Sequence, residues 1–183
     1  INIKIKDRNN FFFEFRKKLI DILKKIKPDF IIYHGDTLTT LASSLVSHNF
    51  FSEVNNVHIE SGYRAKVYNS IEEKIRKVAD KYSKINFAIR SQEKKNLSKE
   101  GIKKNVYTVG NTINDTIEIK KKIIIKKKIN KKYLYVTIHR AENVDNEIRL
   151  KKIHQFLKKL ASKIDIIISI HPRLKKMLRK YNL

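Results

Sequence analysis

The chain has 183 residues, with 42 Lys and Arg against 18 Asp and Glu for a formal net charge of +24, and no cysteine. A cysteine-free chain excludes disulfide frameworks and thiolate metal sites, and no window approaches the roughly 18 uninterrupted apolar residues that a membrane span needs. Composition therefore predicts a soluble, cytoplasmic protein without a membrane partner, one domain or parts of two. The start at Ile1 rather than methionine suggests a fragment.

In chain order, short apolar runs alternate with amphipathic stretches of helix length, the pattern of βαβ units and a parallel sheet. Ile1 to Ile5 reads as a strand, and Phe11 to Ile26 as a helix with Phe12, Phe15, Leu19, Ile22, Leu23 and Ile26 on one face. After the break at Pro28-Asp29 come a strand Phe30 to Tyr33, a helix Thr37 to His48, a strand Val57 to Ile59, a helix Ile71 to Tyr82 and a strand Ile85 to Ile89. A helix from Gln92 to Lys99 is expected to have Ser91 as N-cap and Gly101 at its end. A strand Val106 to Val109 and a helix Asn111 to Lys122 follow. The basic, isoleucine-rich stretch 123–132 reads as a connector between a first domain, 1–122, and the start of a second, 133–183. The second domain offers strand Tyr133 to Thr137, helix Asn146 to Ser162, strand Ile164 to Ile170 and helix Leu174 to Tyr181. Two strands are too few to close a sheet core.

The charge is large enough to attract polyanions of any sequence. Only nine of the 42 basic residues are arginine, however, and the lysines are spread over helical faces among abundant Ile and Asn. Guanine is read by arginine forks, so no sequence-specific nucleic-acid partner is expected, only incidental affinity.

Three of the four glycines end apolar runs beside polar residues: His34-Gly35-Asp36-Thr37, Glu60-Ser61-Gly62-Tyr63-Arg64 and Val109-Gly110-Asn111-Thr112. Ligands of open parallel sheets bind beyond the carboxyl ends of strands, so these turns form one candidate site. Asp36 either serves that site or caps the helix that follows. Glu60 is harder to explain structurally, because Glu is depleted in strands and costly to bury unpaired; Arg64 is the candidate partner. Glu72-Glu73 opens a helix, where the helix dipole favours acids. Carboxylates converging in one crevice suit acid–base catalysis. His139-Arg140 and His171, after the later strands, suit phosphate oxygens. No histidine spacing marks a metal site, and no Gly-rich nucleotide loop is present.

The ordered set His34-Gly35-Asp36-Thr37, His58-Ile59-Glu60-Ser61-Gly62-Tyr63-Arg64, Ile71-Glu72-Glu73, Val109-Gly110-Asn111-Thr112, Thr137-Ile138-His139-Arg140-Ala141-Glu142-Asn143-Val144-Asp145-Asn146 and His171-Pro172-Arg173 resembles the non-hydrolysing UDP-N-acetylglucosamine 2-epimerases. The resemblance implies an α/β fold of Rossmann-like parallel sheets in a two-domain, glycosyltransferase-B-like architecture, incomplete here. It implies interconversion of UDP-N-acetylglucosamine and UDP-N-acetylmannosamine by elimination and re-addition of UDP, for cell-surface polysaccharide precursors, with no cofactor and no metal. By motif, Asp36, Glu60 and Glu72 are the acid–base carboxylates and His139 contacts the phosphates and sugar. Arg64, Arg140, Glu142, Asn143 and His171 are implied substrate contacts, and the full-length protein is implied to be a homodimer.

The chain departs from the family at Ser61 and Tyr63, at Ile71 and Ile75 where proline and asparagine are usual, and at Leu174. The family's Gly-Thr-Arg-Pro-Glu turn would lie upstream and its Ser-Gly-Gly segment downstream, so the resemblance covers about half of a full member. A hydrolysing epimerase, a related nucleotide-sugar transferase and a non-catalytic polyanion-binding protein are the alternative readings.

Overall fold

Alternating burial builds the strands and capped amphipathic stretches build the helices of a computed structural model that describes residues 8–65, 70–121 and 131–183. The chain divides into two compact units, 1–123 and 124–183. The strand expected at Ile1 to Ile5 lies outside the described residues, as do residues 123–130 of the expected connector.

In the first unit, α1 (Arg8–Ile26) leads into β1 (Phe30–His34), α2 (Leu38–Phe50), β2 (Asn55–Ser61), α3 (Ile71–Tyr82), β3 (Ile85–Ala88), α4 (Ser91–Lys99), β4 (Val106–Thr108) and α5 (Thr112–Lys121). The four strands pair in parallel in the order β1-β2-β3-β4. Every crossover thus steps the same way, and right-handed crossovers put α2, α3 and α4 on one face of the sheet. On that face Ile31 and Tyr33 of β1 pack with Leu23 of α1, Val46 of α2 and Ala79 of α3. A second cluster joins Ala88, Leu97 and Val106. Each fully buried Val, Leu or Ile of this kind stabilises the fold by about 1.5–3 kcal/mol. On the other face Phe30 and Ile32 stay more than half exposed.

Local chemistry explains most boundaries. Ser70 accepts a hydrogen bond from the Glu73 amide and starts α3, and with Glu73 at the third helical position it has the residues of a capping box. For α4 the expected cap is corrected: Arg90, with extended backbone, is the N-cap and makes no side-chain capping bond, while Ser91 already belongs to the first turn. The turn closes on the Arg90 carbonyl through the Lys94 amide, and the Arg90 guanidinium is held by Glu93. Gly101 follows the C-cap Glu100 at φ +86, the left-handed position where glycine ends helices.

The second unit contains β5 (Tyr133–Thr137), α6 (Ala141–Val144), α7 (Glu147–Ala161), β6 (Asp165–Ser169) and α8 (Pro172–Lys180), with β5 and β6 parallel. Asn146 caps α7 by accepting from the Arg149 amide, and Pro172 takes the first turn of α8, where its missing N–H costs nothing. The short helix α6 was not expected from the sequence. Val144, Leu150 and Leu174 form the core, with Met177, Leu178 and Tyr181 against it. The strands themselves remain largely exposed.

Candidate active site

β1 and β2 end side by side, since His34 pairs with Ile59 in parallel register. The turn after β1 carries Gly35 at φ +71, a conformation that favours glycine, and its amide bonds the Ile59 carbonyl at 3.1 Å. Thr37, not Asp36, caps α2: its Oγ1 accepts from the Thr40 amide at 3.3 Å. Asp36 is therefore free of the capping role, and its carboxylate meets Arg76 Nη2 at 2.6 Å.

Glu60 owes its position to backbone irregularity. The β2–β3 register slips between Ile59 and Ser61, and Glu60 sits there at φ +67. A bulged residue leaves the ladder and its side chain is re-aimed, while left-handed backbone outside glycine costs on the order of 1–3 kcal/mol and is kept where the surroundings enforce it. The Glu60 carboxylate then lies 3.5 Å from His34 Nε2 and 3.8 Å from Arg76 Nη2. A β-carbon on Gly35 would stand 3.5 Å from Glu60 Oε2, so the glycine turn and the carboxylate are in contact distance.

Arg76 is the residue that joins the two acids, and motif reasoning missed it. Its side chain is 7% exposed, against 30% for Asp36 and 27% for Glu60. The guanidinium also lies over the Tyr63 ring at 5.0 Å, a cation–π contact. Its Nε is buried with no hydrogen-bond partner among the described residues. A signal was available: Ile75, Arg76, Ala79 and Asp80 form the buried stripe of α3, and charged residues on an apolar helical stripe need partners inside.

The remaining expected residues fall in several places. Arg64 does not pair with Glu60, which corrects the expected partnership; its guanidinium binds Glu100 and lies 2.8 Å from Asp80 Oδ2. Arg64 points inward because Asp80 has no solvent exposure and needs cations. Burial works against the Arg64 charge, but hydrogen bonds and the charges of Glu100 and Asp80 outweigh it and push its pKa up. Glu72 is exposed in the first turn of α3, while its neighbour Glu73 turns inward and leaves Oε2 buried with no hydrogen-bond partner among the described residues. The Gly110 turn follows β4, which β3 separates from β2, so the glycine turns at Gly35 and Gly62 lie on neighbouring strands and the third stands at the sheet edge.

In the second unit Thr137 pairs with Ser169, which sets the turns after β5 and β6 side by side. The His139 and His171 rings are 6.1 Å apart. His171 Nδ1 accepts from the Arg173 amide at 3.1 Å and so caps α8. Arg140 occupies the N-cap position of α6, with its guanidinium 3.7 Å from Glu142. Asn143 is half-buried in the same turn. Among the described residues no group of three or more His, Asp or Glu is arranged to hold a metal ion, and no helix is long and apolar enough to cross a membrane.

The family model for UDP-N-acetylglucosamine 2-epimerase matches residues 5–182. A UDP-N-acetylglucosamine 2-epimerase of Methanocaldococcus jannaschii is 40% identical over 183 residues, an overlap covering 91% of this chain and 50% of the relative. One from Methanococcus maripaludis is 37% identical, covering 88% and 47%. Among solved structures, the M. jannaschii enzyme in complex with UDP-GlcNAc and UDP superposes with a TM-score of 0.87 at 35% identity, over 100% of this chain and 53% of that one. The Neisseria meningitidis enzyme bound to UDP-GlcNAc gives 0.77 at 28%, over 99% and 53%. The chain spans about half the length of the relatives it matches, and the expected α/β fold of Rossmann-like parallel sheets is the one it shares with them. With a family model matched over nearly all its length, the chain belongs to the UDP-N-acetylglucosamine 2-epimerase family.

Proposed function

We propose that this chain supplies the acid–base carboxylates of a UDP-N-acetylglucosamine 2-epimerase. The observation that carries the reading is the bulged, left-handed Glu60, brought beside Asp36 by a buried arginine. Two carboxylates at adjacent strand ends can serve the two faces of a sugar carbon. One takes the C2 proton; the C–H electron pair forms the C1–C2 double bond, and the C1–O bond breaks with its pair going to the UDP oxygen. The resulting 2-acetamidoglucal accepts UDP back at C1, and the second carboxyl group, in its acid form, gives its proton to the opposite face of C2. The sequence is redox-neutral, so proton transfer and charge stabilisation suffice. Arg76 contacts both carboxyl groups and fixes them relative to one another. Glu72 is assigned a supporting proton-transfer role by its motif. His139, with Arg140, Glu142, Asn143 and His171 around two adjacent strand ends, suits the diphosphate, since imidazole and guanidinium donors bind phosphate oxygens. The remaining elements of the reading are a UDP-sugar substrate, a homodimer, a cytoplasmic setting and a role in polysaccharide precursor supply.

The test is a chimera in which these residues replace the corresponding half of the M. jannaschii relative. Conversion of UDP-N-acetylglucosamine to UDP-N-acetylmannosamine, followed by NMR, is the expected result. A chimera that binds UDP but forms neither UDP-N-acetylmannosamine nor the glucal contradicts the proposal.

A further inference from the structure

Beneath the carboxylate pair lies a buried cluster that the chemistry above does not use. His58 of β2 and Asp80 of α3 both have fully buried side chains. His58 Nδ1 is 2.8 Å from Asp80 Oδ1, and His58 Nε2 is 2.8 Å from the Gly35 carbonyl oxygen. A carbonyl can only accept, so Nε2 carries hydrogen. Asp80 is also wholly an acceptor: Arg64 Nη2 lies 2.8 Å from Oδ2, and the Gly62 amide donates to both carboxylate oxygens at 3.2 and 3.3 Å. With every polar neighbour of Asp80 a donor, the hydrogen between it and His58 belongs to Nδ1. Donor counting therefore puts hydrogen on both ring nitrogens.

We propose that His58 is a positioning residue: a doubly protonated imidazole, clamped by Asp80, whose Nε2–H grips the Gly35 carbonyl and so sets the turn that presents Asp36 to Glu60. The geometry ties three elements at one point. Gly35 immediately precedes Asp36; His58 and Gly62 bracket Glu60 on the bulged strand; Asp80 lies one helical turn beyond Arg76, on the same buried stripe of α3. One helix face thus delivers a cation to the carboxylate pair and an anion to the imidazole beneath. The groups facing His58 are Asp80 from α3, the Gly35 carbonyl from the β1–α2 turn and the Tyr33 ring of β1, 5.6 Å away. No group among them accepts a proton from His58 and leads it toward solvent, so the imidazole holds geometry rather than exchanging protons with substrate.

This inference rests on the proposed acid–base role of Asp36 and Glu60 for its functional consequence, but its test does not depend on that role alone. In a ¹⁵N-labelled sample of this chain, His58 should show two slowly exchanging ring N–H signals, and Asp80→Asn should alter both ring nitrogens. A single ring N–H, with nitrogen shifts of a neutral tautomer, overturns the proposal. In the chimera, His58→Phe should lower kcat roughly 100-fold, the scale of a misplacement of about 1 Å, with KM changed less than about threefold. His58→Gln, which keeps a donor toward Gly35, should recover part of that loss. His58→Phe at the wild-type kcat overturns the positioning role. A parent chimera that never turns over counts against the functional reading only, since the ring spectrum decides the protonation and clamp by itself.

Discussion

At the scale of residues, the site is a charge arrangement enforced by backbone, and single atoms can test it. Gly62 at φ +75 packs so closely that an added β-carbon would stand 2.3 Å from the Glu93 carbonyl oxygen, whereas one on Gly110, at φ +83, would meet nothing within 4 Å among the described residues. Gly110→Ala should therefore cost only left-handed strain, about 1 kcal/mol. Gly62→Ala should cost at least about 3 kcal/mol, because α4 must also move away; the difference in urea midpoint between the two variants measures it. Arg76 is the second residue-scale prediction. Arg76→Met leaves Asp36 and Glu60 facing one another without their cation, and kcat of the chimera should fall on the order of 100-fold or more, with Arg76→Lys intermediate because a point charge cannot reproduce the planar fork. Equal rates for all three would remove Arg76 from the site. Asp36 and Glu60 were readable from sequence because they lie in glycine-containing turns at strand ends, Asp36 directly after Gly35 and Glu60 two residues before Gly62. Arg76 and Asp80 showed only as charges on the apolar stripe of α3, and neither their partners nor the role of His58 could be read, since those partners lie 40 and 22 residues away and only tertiary packing brings them together.

At the scale of elements, periodicity located every described helix of three turns or more, because its signal is local, whereas the caps Thr37, Ser70, Asn146 and His171 emerged only in the structure. The four-residue α6 escaped because it is too short to show a period. The start of α4 shifted by one residue because Arg90 supplied the cap position with backbone alone. β2 extends beyond the expected run at both ends, through Asn55, Asn56, Glu60 and Ser61. Polar residues there hide a strand from hydropathy: Asn56 bonds the Tyr82 carbonyl and the Lys84 amide instead of water. Tyr33 of β1 offers a measurable consequence. Its hydroxyl bonds Ser83, which itself donates to the Ala79 carbonyl, so Tyr33 is the donor of that pair. Burial pushes its pKa from 10.0 up to about 12, opposed by the Ser83 bond and aided by the Asp80 charge. The folded state holds this proton more tightly than the unfolded chain. The stability it contributes is present below pH 10 and is lost as pH rises from 10 toward 12. Tyr33→Phe should lose about 1 kcal/mol at neutral pH and show a smaller further loss across that alkaline window, as read by denaturant midpoints at several pH values.

At the scale of the whole molecule, length and charge decide what these 183 residues do by themselves. They span about half of their relatives, and catalysis by positioning needs the whole set of substrate contacts. The isolated chain is therefore expected to give no turnover of UDP-N-acetylglucosamine, and conversion above the uncatalysed rate, followed by NMR, would refute this. The net charge of +24 predicts a second behaviour. Binding to single- or double-stranded nucleic acid should be indifferent to sequence and fall steeply between 50 and about 200 mM salt, as counterion release requires. A preference for one sequence that survives the higher salt would instead favour a dedicated binding role.

The central claim is that Glu60, placed by its bulge, takes part in proton transfer at C2. The most direct measurement is deuterium incorporation at C2 of UDP-N-acetylglucosamine in D₂O, comparing the active chimera with its Glu60→Gln variant. The amide keeps the shape and most hydrogen bonds but cannot exchange a proton, so exchange and turnover should both fall on the order of 100-fold while substrate affinity barely changes. Exchange and turnover at the parent rate in Glu60→Gln would contradict the account.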